Sequence, residues 1–261
     1  MSHTYSIPHL YDIAFDFRDI PGECDFLLAV AEKHLSRKVT SATELACGPG
    51  WHAREMACRG IESTGLDLEP AMIEHARQYA KAESVSATFV VGDMKSFSLG
   101  KPVDLAYVLI ASFAHLLTND DIIAHFNAVA DSLSDGGIYI ISTAHPRDFY
   151  GDRSSDLPTQ WTNTRGDLTV TTEWGSAEDS FDPITEIDSV TITFDVTGPQ
   201  GRERHQSKEQ LRRMSYQTFK ALVALSGRFG LVEAYGDFDL ATPFTNDPSS
   251  GRFIPVLKKL R

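Results

Sequence analysis

Hydrophobic residues follow a helical period near the start of the chain and then recur in short runs separated by amphipathic stretches. After Pro21 and Gly22, apolar side chains at helical spacing predict a helix. Predicted strands follow at residues 40–46, 61–66, 88–91, 103–110 and 138–142, with helices at 51–59, 70–81 and 119–133. Asn119 and Asp120 are expected to cap the last of these helices. Strands that alternate with helices predict right-handed crossovers and a parallel sheet.

The pattern changes after His145 and Pro146. Residues up to about Gly166 are polar without clear periodicity, so no element is predicted there. Half-exposed antiparallel strands are predicted at 168–174, 187–194 and 203–214, followed by a helix at 216–226 and strands at 230–235 and 253–257. The predicted fold is α/β: a Rossmann-like, doubly wound, mostly parallel seven-stranded sheet with an antiparallel β insertion after the fifth strand.

Charge and cysteine content narrow the class of protein. The 261 residues carry a formal net charge of -12, which argues against a protein that binds nucleic-acid phosphates. The three cysteines show no paired spacing, and no signal peptide or bilayer-length apolar run is apparent, so we expect a cytoplasmic protein without membrane attachment. No histidine or cysteine cluster has zinc-site spacing, and no metal is predicted.

The strongest motif is Glu-Leu-Ala-Cys-Gly-Pro-Gly at residues 44–50, between a predicted strand and a predicted helix. Glycines at such a turn allow a tight bend and let a ligand approach the backbone. Asp67 closes the next strand, where a carboxylate can accept hydrogen bonds from both hydroxyls of a ribose. The combination predicts a site for a nucleoside-containing ligand.

A nicotinamide or flavin enzyme is the competing interpretation of the same motif. Gly48, Gly50 and Ala53 satisfy the Gly-x-Gly-x-x-Ala fingerprint, and an acid follows about twenty residues later. However, a pyrophosphate needs backbone N–H donors, and Pro49 has none. Glu44 would add negative charge beside phosphates, whereas it suits a cationic sulfonium and an ammonium group. Electrostatics therefore favours a methyl donor.

The segments 44–50, 65–72, 91–94 and 135–137, together with Asp104, resemble the class I S-adenosylmethionine-dependent methyltransferase signature in order and spacing. This resemblance covers residues 40–145 and implies S-adenosylmethionine as cofactor and S-adenosylhomocysteine as product. It implies that Glu44, Gly48 and Gly50 line the methionine moiety while Asp67 holds the ribose. The remaining cofactor-binding residues that it implies are Leu68 and Met94 beside the adenine, Asp93 at its amino group, Ile110 and Ala111 along the methionyl side, and Ala46 and Met72.

Two further resemblances suggest the catalytic residues. Ala-Ser-Phe-Ala-His at 111–115 is similar to a Ser-Ser-x-x-His-Leu stretch of sugar N,N-dimethyltransferases, which makes His115 the first choice for a general base or an acceptor-orienting group. A loop histidine bonded to backbone is the alternative. Tyr11 lies in a segment that resembles the Tyr-Asp-x-x-Tyr lid of the same group, with Phe15 replacing the second tyrosine. Its alternative role is hydrophobic packing, and Tyr5 is a weaker lid candidate.

Candidate substrate-binding residues follow the fifth strand. His145 faces the expected substrate side, although Pro146 beside it suits a structural turn equally well. Trp161, Trp174 and either Arg212 or Arg213 are candidates for lining the acceptor pocket. Burial preference instead favours a place for the tryptophans in the small core of the insertion.

The resemblance also implies how the chain is divided. We expect a helical lid at 1–39, a cofactor-binding core at 40–145, a β-rich roof over the substrate at 146–214, and a segment at 215–261 that completes the sheet. The expected reaction is methyl transfer to a small molecule, with an amine favoured over a hydroxyl or carboxylate acceptor. A non-catalytic adenosyl-ligand-binding protein remains the alternative of another class. A homodimer is the family-level expectation.

Overall fold

The computed structural model describes residues 4–150 and 159–261, so part of the polar stretch after Pro146 lies outside it. The helices are α1 (Pro8–Ala14), α2 (Ile20–Leu35), α3 (Trp51–Cys58), α4 (Pro70–Ala82), α5 (Asn119–Ser132), α6 (Arg147–Tyr150) and α7 (Tyr216–Ser226), with a 3-10 helix at Ser112–His115. The strands are β1 (Ser41–Leu45), β2 (Glu62–Asp67), β3 (Thr88–Val91), β4 (Val103–Val108), β5 (Leu133–Ile141), β6 (Thr143–Ala144), β7 (Thr159–Arg165), β8 (Leu168–Trp174), β9 (Phe181–Asp182), β10 (Ile187–Gly198), β11 (Gly201–Arg212), β12 (Phe229–Tyr235) and β13 (Arg252–Lys259).

The main sheet has the order β12-β13-β5-β4-β1-β2-β3, and the short β6 pairs with β13. Strands β1 to β5 are mutually parallel, whereas β13 is antiparallel to both of its neighbours. Every residue of β4 is buried, as expected for a central strand covered by helices on both faces. The predicted fold class is therefore confirmed.

The order of the strands determines where a ligand can bind. The chain runs outward from β1 through β2 to β3, then returns to place β4 on the other side of β1. Connections that leave β1 and β4 in opposite directions open a crevice at the carboxyl ends of these strands. The loops that follow β1, β2, β3 and β4 all lead into this crevice.

The insertion forms a second, antiparallel sheet of order β11-β10-β8-β7, with β9 paired to β10. Strand β7 was not predicted, because its inward-facing residues are not aliphatic. Trp161 Nε1 and Asn163 Nδ2 both donate to the carbonyl oxygen of Ala14, and Arg165 pairs with Asp12. The inner face of β7 is thus specialised to hold the end of α1, which removes the apolar alternation that identifies a strand.

Helix α5 is capped one residue earlier than predicted. The Thr118 hydroxyl accepts from the backbone N–H of Asp121, and the Asp121 carboxylate accepts from the backbone N–H of Thr118. This reciprocal capping box supersedes the expected caps at Asn119 and Asp120, which form the first helical turn instead. Within the described residues, no helix is long and apolar enough to cross a bilayer.

Acid should destabilise this fold because His125 is fully buried. Both ring nitrogens of His125 are hydrogen-bonded, Nδ1 to the Met94 carbonyl oxygen and Nε2 to the Tyr139 hydroxyl. Burial lowers the pKa of His125 to about 4. As the pH falls from about 6.5 to 4, His125 therefore becomes protonated in the unfolded chain but stays mostly neutral in the folded chain. The free energy of unfolding decreases over this interval.

The His125 contribution lost over this interval is about 3 kcal/mol, from 1.36 kcal/mol per pKa unit. Urea denaturation at a series of pH values measures it. His125→Gln should be less stable at neutral pH but should lose less stability on acidification than the unsubstituted protein. Equal pH dependence for the two proteins would contradict this assignment.

Candidate functional site

A cavity of about 330 Å³ lies at the carboxyl ends of the parallel strands, between the main sheet and the inserted sheet. Residues of the main sheet's loops, of the N-terminal segment and of the insertion line it together. The lining residues are Tyr5, Tyr11, Ala46, Gly48, Leu66, Asp67, Leu68, Glu69, Met72, Gly92, Asp93, Met94, Lys95, Ile110, Ser112, His115, Leu116, Trp174 and Glu209.

The loop after β1 lines this cavity with the backbone of Gly48, which has no side chain. Gly48 has a φ of 52°, and among the described residues a Cβ placed on it would come within 4 Å of the Tyr11 ring alone, at 3.9 Å. A Cβ on Gly50, with a φ of 75°, would collide with Phe89 at 2.5 Å, so this glycine is required by packing below the loop. Gly48 therefore leaves room for a ligand, whereas Gly50 shapes the turn.

Asp67 lies at the end of β2 and is fixed by two backbone donors. Its Oδ2 accepts from the N–H of Gly48 at 2.7 Å, and its Oδ1 accepts from the N–H of Glu69 at 2.9 Å. Burial raises the pKa of this carboxyl group, while the two hydrogen bonds oppose that change. Each carboxylate oxygen keeps a further lone pair with which it can accept from a diol.

Glu44 does not line the cavity. Its Oε2 accepts from the N–H of Ala53, and its Oε1 lies 3.2 Å from Nδ1 of His52. Nε2 of the same imidazole lies 2.8 Å from Glu23. Although burial opposes it, the two carboxylates raise the pKa of His52. Glu44 thus fixes the start of α3 through the N–H of Ala53, and its charge lies beneath the glycine loop, outside the cavity lining.

Most of the predicted cofactor-binding residues converge on the cavity: Ala46, Gly48, Asp67, Leu68, Met72, Asp93, Met94 and Ile110. Asp93 accepts from the N–H of Lys95, which fixes its carboxylate at the mouth of the loop after β3. Glu44, Gly50 and Ala111 lie outside the lining. Ala111 instead has a left-handed φ of 57° and donates its N–H to Ser142, which turns the chain into the 3-10 helix.

His115 ends that 3-10 helix and lines the cavity. The Tyr5 hydroxyl lies 3.3 Å from its Nε2, and the two rings meet edge to face. Burial lowers the pKa of His115, Glu209 raises it, and Arg213 lowers it. The imidazole is consequently neutral near pH 7 and able to accept a proton.

Tyr11 lines the cavity from α1, where its ring stacks on Trp51 and contacts Tyr5. Trp51 also donates to the Asp12 carboxylate and is not part of the lining. Burial raises the pKa of the Tyr11 hydroxyl, which therefore stays protonated. The N-terminal segment thus covers the cavity with two aromatic rings, Tyr5 and Tyr11.

The four predicted substrate-binding residues separate into different environments. Trp174 lines the cavity, whereas Trp161 packs on Phe15 and bonds to the backbone of α1. His145 lies outside the cavity, where its Nε2 donates to the Thr245 carbonyl oxygen. Arg212 is ion-paired with Glu186 beside a separate small cavity.

Sequence reasoning missed several lining residues: Leu66, Glu69, Gly92, Lys95, Ser112, Leu116 and Glu209. Most are neighbours of predicted residues on the same loops. Glu209 is different, because it reaches the cavity from β11 of the insertion. Between His205 and Leu211 every second residue of β11 is shielded from solvent, but the sequence does not reveal which face of that strand meets the main sheet.

Residues 42–137 match the sequence model of a family described as "Methyltransferase domain". Two solved structures share the fold over almost the whole chain. Streptomyces venezuelae DesVI is 19% identical with a TM-score of 0.78, covering 95% of this chain and 96% of that one. CalS10, an amino pentose methyltransferase from Micromonospora echinaspora solved with S-adenosylmethionine bound, is 18% identical with a TM-score of 0.71 and 96% coverage of both chains.

Residues 42–137 are thus similar to a methyltransferase domain, and the chain shares its fold with solved S-adenosylmethionine-dependent methyltransferases. A curated Streptomyces venezuelae relative, dTDP-3-amino-3,4,6-trideoxy-alpha-D-glucopyranose N,N-dimethyltransferase, is 28% identical over 104 residues, which are 40% of this chain and 42% of that protein. The chain spans about half the length of the curated relatives that it matches. The predicted resemblance is therefore confirmed for the methyltransferase core.

Proposed function

We propose that this protein transfers a methyl group from S-adenosylmethionine to the nitrogen of a small-molecule amine. The observation that carries the proposal is one cavity that joins the Gly48–Asp67 edge of a methyltransferase core to a half-buried neutral histidine, His115. The relatives named above include enzymes of amino sugars, which supports an amine acceptor.

The residues around the glycine loop fit the cofactor. Gly48 leaves open backbone on the cavity side, and Asp67 offers two carboxylate oxygens beside it. Leu68, an exposed apolar side chain at the cavity, and Met94 would contact the adenine from the loops after β2 and β3. When bound, S-adenosylmethionine supplies the methyl group: the carbon–sulfur bond breaks with its electron pair passing to sulfur, while the new nitrogen–carbon bond forms.

The acceptor must be the free base to attack, and the methylated nitrogen becomes positively charged. One proton must therefore leave the nitrogen during the cycle. His115 lines the cavity and is neutral near pH 7, because burial lowers its pKa, and so it is the group that takes this proton. Tyr5 contacts its Nε2 and orients the ring.

The aromatic cover supports the same function. In-line displacement at a methyl group depends mainly on alignment of donor and acceptor and on exclusion of water. Tyr11 and Tyr5 close the cavity from the N-terminal side, and Trp174 closes it from the insertion. Arg165, on the insertion, is ion-paired with Asp12 of α1, so the two parts of the cover are connected.

Mass spectrometry tests the proposal directly. The purified protein is incubated with S-adenosylmethionine and a panel of nucleotide-linked sugars, each tested as the amine and as the corresponding alcohol. We expect methylation of at least one amine. Methylation of alcohols alone would favour an O-methyltransferase, and cofactor binding without turnover on any acceptor would favour a non-catalytic binding protein.

A further inference from the structure

Among the described residues of the insertion, Glu209 contributes the one carboxylate that lines the cavity. This residue lies on β11, which packs against the 3-10 helix that carries His115. It lines the cavity together with His115, Tyr5 and Trp174. A negatively charged group from the roof therefore faces the end of the cavity where the proton-accepting residue lies.

Glu209 differs from the other carboxylates of the lining. Asp67, Glu69 and Asp93 each accept a hydrogen bond from a backbone N–H at a turn or helix start. The Oε1 of Glu209 is shielded from solvent, and no donor among the described residues bonds to it. Shielding an unpartnered carboxylate oxygen is costly, so the arrangement is explained if a ligand supplies the missing donor.

Glu209 and Arg213 are charged groups that affect the pKa values of His115 and Tyr5 at this end of the cavity. Glu209, His115 and Tyr5 line the same cavity, and the carboxylate of Glu209 raises the pKa of both other groups. Arg213 acts on the same two groups in the opposite direction. However, Arg213 Nε lies 3.1 Å from an oxygen of Asp188, which counters the positive charge of the guanidinium.

We infer that Glu209 binds the amino group of the acceptor and makes small aliphatic amines, which are cationic in solution, the preferred substrate class. This inference rests on the proposed function, and it assigns the acceptor specificity of the enzyme to one side chain. Glu209 would accept a hydrogen bond from the acceptor nitrogen through Oε1, beside the imidazole of His115.

The charge balance of the reaction fits this placement. An ammonium group bound to Glu209 gives one proton to His115, and the resulting amine attacks the methyl carbon. Positive charge then moves from sulfur to nitrogen as the nitrogen–carbon bond forms and the carbon–sulfur bond breaks. A fixed carboxylate beside the nitrogen stabilises the charge that develops there.

The same charge discriminates among acceptors. A hydroxyl group has no positive charge for Glu209 to pair with, and a carboxylate acceptor would be repelled. A charge-assisted hydrogen bond is stronger than a neutral one, so the amine should bind about tenfold or more tightly than the alcohol of the same shape.

Ligand binding to the S-adenosylhomocysteine complex of the full chain tests this inference without turnover. The probes are cyclohexylamine, cyclohexanol and cyclohexanecarboxylate, with affinities measured by NMR titration at pH 7. The unsubstituted protein should prefer the amine to the alcohol by about tenfold or more, and Glu209→Gln should remove the preference. Glu203→Gln is the matched control, because Glu203 faces solvent on the same strand and its loss should leave the preference unchanged.

Equal affinity for amine and alcohol in the unsubstituted protein, including no detectable binding of either, would overturn the inference. So would a preference that survives Glu209→Gln. If S-adenosylhomocysteine itself does not bind, the proposed function fails first, so the two failures are distinguishable. The pKa of His115, followed by NMR, gives a readout that a purely structural role would not change: it should decrease in Glu209→Gln and stay constant in Glu203→Gln.

Discussion

Replacing His115 by alanine should lower turnover by about two to four powers of ten while leaving the affinity for S-adenosylhomocysteine nearly unchanged. We propose that the imidazole, which lines the cavity, is the proton acceptor, and general-base catalysis typically contributes a factor of this size. Single-turnover methylation assays and calorimetric titration measure the two quantities separately.

His145→Ala is the matched control for this substitution. His145 is a buried histidine that follows the short strand β6, and it bonds to Thr245 outside the cavity. Its loss should reduce stability without an effect on turnover comparable to that of His115→Ala. Equal loss of turnover and cofactor affinity in His115→Ala would mean that His115 has a structural role.

Asp67→Ala should weaken the binding of S-adenosylmethionine by more than about 1 kcal/mol, since ribose hydroxyls would lose a charged acceptor. The substitution also leaves the N–H groups of Gly48 and Glu69 without their present partner, so the glycine loop should loosen. Asp67→Asn, which keeps the shape of the side chain and one oxygen acceptor, should be less severe. Calorimetric titration gives all three affinities.

Glu62→Gln provides the comparison for Asp67. Glu62 begins the same strand at its other end, where it pairs with the exposed Lys101, and its loss should not change cofactor affinity. Because burial raises the Asp67 pKa, affinity should begin to fall at a higher pH than an ordinary aspartate would give. Unchanged affinity in Asp67→Ala would refute the ribose assignment.

The main sheet could be predicted because its strands alternate with amphipathic helices and its turns carry glycine or acidic residues. Strand β4, for example, is an unbroken buried run, and Asp67 ends β2. Strand β7 could not be predicted, because its inner face is polar where it binds α1. Periodicity detects burial against an apolar core, not hydrogen bonds to a backbone carbonyl.

The site was only partly predictable for a related reason. Loops at the carboxyl ends of parallel strands must converge, so Gly48, Asp67, Asp93 and His115 could be grouped from their positions alone. The direction in which a side chain points depends on its partners. Glu44 is turned away by its bond to the N–H of Ala53, a contact that the sequence does not specify.

Calorimetric titration of the purified protein tests most directly whether the cavity binds a methyl donor. S-adenosylmethionine, S-adenosylhomocysteine and NAD are titrated in parallel, because the glycine loop also satisfies a dinucleotide fingerprint. We predict binding of both adenosyl ligands and none of NAD, since Pro49 removes a backbone donor that a pyrophosphate needs. Binding of NAD without either adenosyl ligand would contradict the account.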